Sequence, residues 1–273
     1  MFRGFYTVAS GMLAQQRRTE MLTNNMANAN TPGFKADQSS MRAFPEMLLQ
    51  RFDKQKIPTE DGLNLPFNKK IGSLSTGVYM QETVPLFQQG DLRETGLNTD
   101  VALLERSMPE NGSIFYTVAD QNGDTRYTRN GNFTVDGQGF LTTASGLYVL
   151  NEARGRIQLT SDQFTVSEDG VLVGEGGETS RLGIGFAVDA NRLIKLGDGL
   201  YRTEDGNALA NAYNTEDAAF TLQQGFVERS NVDVGRTMTD MLSAYRAFEA
   251  NQKVLQAYDR SMDKAVNEVG RIG

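Results

Sequence analysis

The chain lacks two of the side chains most used in catalysis and metal binding, since none of its 273 residues is a cysteine or a histidine. Without cysteine it cannot form disulfides or use a thiolate nucleophile. Without histidine as well, zinc sites, haem sites and histidine-dependent triads are essentially excluded. The absence of cysteine suits an oxidising and a reducing compartment equally, so it does not locate the protein.

Long apolar runs are also missing. No run approaches the roughly 20 residues that a membrane-spanning helix needs, so we do not expect an integral membrane protein. The first six residues, Met-Phe-Arg-Gly-Phe-Tyr, lack the unbroken apolar core of a secretory signal peptide. If the protein leaves the cytoplasm, we expect it to do so by another route.

The net charge of -7 is unevenly distributed along the chain. Basic residues are in excess by three in residues 1–60, acidic residues are in excess by ten in 61–225, and the two balance in 226–273. An acidic middle argues against a nucleic acid partner. Near-neutral ends are compatible with helices that pack closely, because a strong field of like charges would oppose their association.

Apolar residues recur at helical spacing near both ends of the chain. The C-terminal stripe alternates steps of three and four residues, and six of its members lie seven residues apart, which is the coiled-coil spacing. A stripe this long needs another helix, from this chain or from a second copy. Two amphipathic helices packed on their own globular core are the alternative. The C-terminal stripe consists of Val234, Met238, Met241, Tyr245, Phe248, Leu255, Tyr258, Met262, Val266 and Val269, and a weaker N-terminal stripe of Phe2, Phe5, Ala9, Met12, Leu22, Met26 and Ala29.

The middle of the chain has the pattern of β-structure. Met41 to Phe52 suggests a short helix broken by Pro45, Lys54 to Ser75 an extended connection, and Val78–Pro85 a strand. From Ser113 onward, short apolar runs alternate with turn sequences every 8–12 residues, which predicts a mostly antiparallel β domain. The predicted strands are Ile114–Val118, Arg126–Arg129, Asn132–Val135, Phe140–Thr143, Leu147–Leu150, Phe164–Ser167, Val171–Val173, Ile184–Val188, Leu193–Leu196 and Leu200–Thr203.

The predicted fold class is therefore α+β, with N- and C-terminal amphipathic helices forming a coiled-coil-like inner domain and a mostly antiparallel β middle domain. The first helix is expected from about Phe2 to Ala29, and the helical pattern resumes near Val227. We divide the chain into an N-terminal assembly helix (1–33), a mixed connecting region (34–112), a β-rich outer domain (113–225) and a C-terminal assembly helix (226–273).

Catalytic and ligand-binding patterns are not found. The closely spaced glycine pairs lack the third glycine of a dinucleotide loop, and no Gly-Lys pair exists for a phosphate loop. The acidic turn 120–124 places Gly131 where a calcium loop needs glutamate. The carboxylate pairs at 168–169 and 204–205 are each followed by glycine, which is typical of turns. We predict no catalytic residue, cofactor, metal or small-molecule substrate, and thus no enzyme.

Both ends of the chain nevertheless carry recognisable motifs. Asn24-Asn25-Met26-Ala27-Asn28-Ala29-Asn30-Thr31-Pro32-Gly33-Phe34-Lys35 closely resembles the N-terminal motif of bacterial flagellar rod and hook proteins. Gly225-Phe226-Val227-Glu228-Arg229-Ser230-Asn231-Val232-Asp233, and 245–253 after it, resemble the C-terminal motifs of the same family. Segments 89–92, 99–103 and 127–133 are similar to its middle segments, so the resemblance covers nearly the whole chain.

The resemblance implies a structural subunit of the flagellar basal-body rod that needs no cofactor. Its terminal helices would bind further copies of the subunit and other rod and hook proteins. Together these subunits would form the tubular drive shaft for motility. Its export from the cytoplasm would use the flagellar type III apparatus, with Phe2 and Tyr6 as a gate-binding element. The motif and turn residues to which it assigns importance are Asn24, Asn25, Asn28, Asn30, Thr31, Pro32, Gly33, Ser230, Asn231 and Val232.

Alternatives within and outside the family stay open at this point. Within the family, they are a hook subunit and a hook- or rod-associated axial protein. The middle is short for a hook subunit, which favours the rod, and the most similar members are rod proteins of Gram-positive flagella. The insertion 105–111 leaves the start of the β domain uncertain. Outside the family, the alternatives are an envelope adhesin or binding module and a carboxylate-dependent hydrolase. Within the N-terminal motif, we expect Gly33 to require glycine-specific backbone angles and Lys35 to tolerate substitution by glutamine.

Overall fold

We describe the protein from a computed structural model that covers residues 2–56, 64–120, 122–215 and 218–269. For residues 2, 51–56, 64–69, 268 and 269 the description concerns the backbone alone. No helix within these ranges is long and apolar enough to cross a membrane.

A long helix stands near each end of the chain, and strands occupy most of the sequence between them. Helix α1 runs over Phe2–Ala27, and helix α2 over Val234–Lys264 with a π-helical turn over Ala265–Val269. The strands are β1 Asp37–Ala43, β2 Met47–Lys56, β3 Asn64–Leu74, β4 Val78–Pro85, β5 Leu92–Glu94, β6 Val101–Ser107, β7 Ser113–Ala119, β8 Thr125–Thr128, β9 Phe133–Val135, β10 Leu141–Thr143, β11 Tyr148–Val149, β12 Phe164–Val166, β13 Val171–Gly174, β14 Thr179–Arg181, β15 Ile184–Ala187, β16 Leu193–Gly197, β17 Leu200–Thr203, β18 Ala210–Asn211, β19 Ala219–Gln224 and β20 Phe226–Glu228.

These elements form two compact units, each collected from separate stretches of sequence. The first comprises Met1–Thr23, Ser39–Thr83 and Gly235–Gly273, and the second Asn24–Gln38 and Val84–Val234. The first unit contains most of both helices and the β2–β3 hairpin, whose antiparallel register pairs Met47 with Leu74 and Lys56 with Asn64. Strand β1 pairs with β4.

The second unit is built on a nine-stranded sheet with the order β16-β17-β8-β7-β11-β10-β9, while β15 pairs with β7 and β18 pairs with β15. Strand β7 is buried at every position, because it has a neighbour on both edges and apolar side chains on both faces. Its Tyr116 hydroxyl donates to the carbonyl of Val101 at 2.6 Å. Smaller sheets, β12-β13-β14, β6-β19 and β5-β20, complete the unit.

The α+β class is confirmed, with a helix at each end and a mostly antiparallel β middle. The predicted strand Val78–Pro85 is confirmed, and so are the ten predicted between Ile114 and Thr203, to within one or two residues at their ends. The turn after β7 is the expected tight hairpin turn, in which Gly123 has a φ of 88° and donates to the carbonyl of Asp120 at 3.0 Å.

Two local predictions are wrong. Met41 to Phe52 is not helical, because β1 pairs with β4 and β2 pairs with β3, and strand pairing outweighs a weak local preference for helix. The helical pattern does not resume near Val227, since Phe226–Glu228 is strand β20, paired with β5, and α2 begins at Val234. Strands β5 and β6 of the second unit lie before residue 113, within the region 34–112 that was expected to be mixed.

Candidate functional site: the terminal helices and the meeting point of the end motifs

Within the first unit, α1 and α2 contact each other in antiparallel order. The Tyr258 side chain lies over the Cα of Gly4, and the Asn251 side chain lies next to Gly11. Further along α1, Arg18 Nη2 lies 3.8 Å from Asp240 Oδ1, and the Thr23 hydroxyl lies 3.7 Å from the sulfur of Met241. Residues near the start of α1 thus meet the C-terminal part of α2, and residues near its end meet the N-terminal part of α2, so the two helices run in opposite directions.

The side of α2 that is shielded from solvent follows the predicted seven-residue spacing in part. Met241, Phe248, Leu255 and Met262 are half-buried and lie seven residues apart, and Tyr258 is half-buried as well. Thr237 and Ala244 are fully buried on the same side of the helix, although neither belonged to the predicted stripe. On α1, Leu22 is buried and Phe5, Met12 and Met26 are half-buried.

Other members of the stripe point into solvent. Val234, Met238, Tyr245 and Val266 are exposed, so one face of α2 keeps uncovered apolar surface. Exposed apolar residues also occur outside the predicted stripes. On α1 they are Leu13 and Tyr6, the latter predicted only as part of the gate-binding element, and on α2 they are Leu242 and Val254. The side chains of Phe2 and Val269 lie outside the described residues.

The N-terminal motif forms the end of α1 and the turn that follows it. The Asn25 side chain is buried and holds the backbone of Asp37 from both sides, donating to its carbonyl at 2.8 Å and accepting from its N–H at 2.9 Å. Asn28 donates to the carbonyl of Asn24 at 2.9 Å and accepts from the Thr31 hydroxyl at 3.1 Å. Asn24 and Asn30 are exposed, and Pro32 is half-buried.

Gly33 occupies a position that only glycine fits. Its φ is +68°, in the left-handed region, and a Cβ there would stand 2.5 Å from the backbone carbon of Arg129. Its N–H donates to the carbonyl of Glu228 at 2.8 Å. The turn of the N-terminal motif therefore packs between β20 and the end of β8.

The C-terminal motif meets the N-terminal one through Asn231. Its side chain accepts from the N–H of Ala36 at 2.7 Å and donates to the carbonyls of Leu86 and Gln88 at 2.8 and 3.0 Å. The neighbouring Ser230 hydroxyl accepts from the N–H of Val232 at 3.4 Å. One amide thus ties three separate segments of the second unit together.

A buried ion cluster lies beside this meeting point, and the sequence did not predict it. The Lys35 ammonium stands 2.6 Å from Glu228 Oε1, and Arg129 Nε donates to Glu228 Oε2 at 3.0 Å. Arg129 Nη1 also donates to Glu105 Oε1 at 2.7 Å. The side chains of Lys35 and Arg129 are fully buried, Glu228 is 1% exposed, and Glu105 is 13% exposed.

The environment shifts the pKa of each buried member. Burial lowers the pKa of Lys35, as does Arg129, and Glu228 offsets this only partly, leaving a pKa of about 8. Burial alone would raise the pKa of Glu228, but Arg129 and Lys35 outweigh it and the pKa is lowered. Burial opposes the charge on Arg129, but Glu228 and Glu105 outweigh it and raise its pKa.

The expectation that Lys35 tolerates glutamine is contradicted by this geometry. Lys35, Arg129 and Glu228 all lie within the motif segments that carry the family resemblance, but their spacing along the chain gives no sign that the charges meet. The cluster resembles no catalytic centre, because each charge is matched by a partner and buried. No group of three or more carboxylates suited to hold a metal ion occurs in the described ranges.

Three family models match the chain in sequence order. "Flagella basal body rod protein" matches residues 5–35, "Flagellar hook protein FlgE/F/G D1 domain" residues 111–174, and "Flagellar basal body rod FlgEFG protein C-terminal" residues 223–268. The first and last matches include the two motifs that meet at Asn231 and Gly33.

The whole chain also aligns with the flagellar hook-basal body complex protein FlhO of Bacillus subtilis strain 168, with 47% identity over 100% of both chains. The chain belongs to the flagellar basal-body rod protein family. The flagellar basal-body rod protein FlgG of the same organism is 31% identical, over 98% of this chain and 99% of its own. FlgG of Borreliella burgdorferi is 30% identical over 98% of each chain.

Membership of the basal-body rod family confirms the prediction made from the end motifs, including the likeness to Gram-positive members. This rod-family protein is a structural component of the flagellar basal body, and the proteins it matches are structural rather than enzymatic. The hydrolase and adhesin alternatives are thereby set aside.

Proposed function

We propose that this rod-family protein is incorporated into the flagellar rod in many copies and that its terminal helices make the contacts between them. The observation that carries the proposal is the exposed apolar surface on both helices, with Tyr6 and Leu13 on α1 and Met238, Leu242 and Tyr245 on α2. Exposed apolar surface of this kind is typical of a face that another protein covers.

In this proposal the terminal helices form the inner, coiled-coil-like layer of the rod tube. The half-buried, seven-residue series on α2 supports it, because this spacing allows long helices to pack side by side. The neighbours of each copy are further copies and other rod and hook proteins, as the names of the aligned relatives suggest. The completed rod lies outside the cytoplasmic membrane, within the cell envelope.

The assembly role is tested by placing a charge on the exposed apolar face. Tyr245→Asp puts a carboxylate where a contact between copies is expected, and burying an unpaired charge there is unfavourable. The variant should be produced and exported normally but be absent from purified basal bodies, and the cells should not swim. Ser243→Asp is the matched control, because Ser243 is an exposed polar residue on the same helix. Normal swimming in the Tyr245→Asp strain would contradict the proposal.

Export through the flagellar type III apparatus is the second part of the proposal, with Phe2 and Tyr6 as the gate-binding element. Tyr6 is 66% exposed, which leaves its ring accessible to a binding partner. We expect Tyr6→Ser to lower the secreted amount and leave the intracellular amount unchanged or raised. Leu13→Ser, which removes an exposed apolar side chain two turns further along α1, should not reduce secretion. Equal secretion of both variants would show that Tyr6 is not part of the element.

A further inference from the structure

Two glycines of α1, seven residues apart, face two large side chains of α2 that are also seven residues apart. At Gly4, the Tyr258 hydroxyl and ring occupy the space into which a Cβ would project. At Gly11, a Cβ would stand 3.2 Å from the Asn251 Nδ2. Since glycine is the poorest helix former after proline, its presence at both contacts of this helix needs a packing reason.

The spacing of these contacts restricts how α1 can slide along α2. A shift of three or four residues would bring Tyr258 against a residue such as Val8, whose side chain would compete for the space that the ring occupies at Gly4. A shift of seven residues would keep a glycine opposite Tyr258 but would place Arg18 opposite Asn251 and remove it from Asp240. The partly exposed ion pair between Arg18 and Asp240, at 3.8 Å, is made in the observed register and adds a small preference for it among those that the glycines permit.

We propose that Gly4 and Gly11 are positioning residues that set the axial register of α1 against α2, with Tyr258 as the side chain they accommodate. The register determines where the exposed apolar residues of the two helices stand relative to each other. In the observed register, Tyr6 lies toward one end of the helix pair and Met238 toward the other, with Leu13 and Tyr245 between them. The effect of the register on contacts between copies rests on the function proposed above, whereas the proposal that the glycines set the register does not.

Cysteine crosslinking can read the register directly, because the chain has no cysteine of its own. Thr23→Cys with Met241→Cys reports the observed register, in which these two side chains are 3.7 Å apart. Thr23→Cys with Met238→Cys reports a shift of three residues. Under mild oxidation of dilute full-length protein, the intrachain disulfide should form several times more efficiently in the first pair than in the second.

Adding Gly4→Ala and Gly11→Ala to each pair should reduce the yield of the first pair severalfold. Gly72→Ala, in the same unit, is the matched control, because a Cβ at Gly72 meets nothing within 4 Å. Tyr258→Leu shortens the side chain over Gly4. When it is added to the variant with Gly4→Ala and Gly11→Ala, the first cysteine pair should again crosslink with the original yield. This rescue separates a change of register from a general loss of folding.

If the glycines are merely tolerated, alanine at both positions would raise helix content, because alanine is the better helix former, and would leave the crosslinking pattern unchanged. That result would overturn the proposal, and so would equal crosslinking of the two pairs in the parent protein. The measurement uses the isolated subunit. Its outcome is therefore independent of whether Tyr245→Asp blocks incorporation into the rod.

Discussion

Lys35 and Glu228 are 193 residues apart in the sequence, yet the Lys35 ammonium and the Glu228 carboxylate lie 2.6 Å apart and are shielded from solvent. Each belongs to one of the two end motifs. Together with Arg129 they connect the start, middle and end of the second unit in one buried group. The folded structure of this unit therefore depends on contacts between charged residues that are far apart in the sequence.

We expect Glu228→Gln to destabilise the second unit strongly, because it leaves Lys35 and Arg129 buried with too little negative charge. Removing one partner of a buried ion pair typically costs about 3–5 kcal/mol of unfolding free energy. Urea unfolding followed by far-UV circular dichroism measures it. Asp205→Asn is the control, since its pair with Arg192 is exposed and is expected to contribute about 0–1 kcal/mol. Similar midpoints for the two variants would contradict the structural role of the cluster.

The lowered pKa of Glu228 predicts acid sensitivity. Its unfolded pKa is near 4.5 and its folded pKa is lower, so the stabilisation is present above pH 4.5 and is lost as the pH falls through the folded value. Unfolding free energies measured from pH 7 to pH 3 should fall more steeply for the parent than for Glu228→Gln. Parallel pH profiles would show that Glu228 does not carry this dependence.

Lys35 predicts a further rise of stability with pH, in mild alkali. Its pKa is about 8 in the folded protein and near 10.5 when unfolded, so the unfolded chain binds more protons between these values. Stability should rise between about pH 8 and pH 10, by on the order of 2 kcal/mol. Lys35→Met should remove this rise. Above pH 10 the buried Tyr116 and Tyr201 oppose this rise in stability. Their pKa values are raised in the folded protein, so these tyrosines ionise first in the unfolded chain, which favours unfolding.

Gly33 allows backbone strain to be separated from steric exclusion. Gly33 and Gly96 have φ values of +68° and +69°, but a Cβ at Gly96 meets nothing within 4 Å, whereas one at Gly33 meets the Arg129 backbone. Gly96→Ala should cost only about 1–2 kcal/mol for the left-handed conformation. Gly33→Ala should cost clearly more, and Gly33→Val should reduce the number of completed basal bodies. Equal thermal shifts for the two alanine variants would show that the turn can move away from Arg129.

Asn231 should be more sensitive to substitution than the exposed Asn30 of the N-terminal motif. Asn231→Ala removes hydrogen bonds to Ala36, Leu86 and Gln88, and groups left unsatisfied on burial cost about 1–3 kcal/mol each. Asn30→Ala, at an exposed position of the N-terminal motif, should change stability by less than about 0.5 kcal/mol. Thermal unfolding of both variants tests this. A negligible effect of Asn231→Ala would mean that solvent replaces its contacts.

Features that depend on neighbours in the sequence were predictable. The stripes at the two ends predicted α1 and α2, because helical periodicity is a local property of the chain. The alternation of short apolar runs with glycine-containing turns predicted most strands from β7 onward. The end motifs were sufficient to recognise the family, and they marked the region around Gly33 and Asn231 before its geometry was known.

Only the tertiary structure decided which residues meet. The segment Phe226–Glu228 pairs with β5 rather than extending α2, and Met47–Lys56 pairs with β3 rather than forming a helix. Likewise, the sequence shows Lys35, Arg129 and Glu228 as three ordinary charges in separate motifs. Strand pairing and buried ion pairs depend on partners from other segments of the chain, so the local spacing of residues does not predict them. The free energy that favours these contacts is gained only when the segments come together in the folded protein.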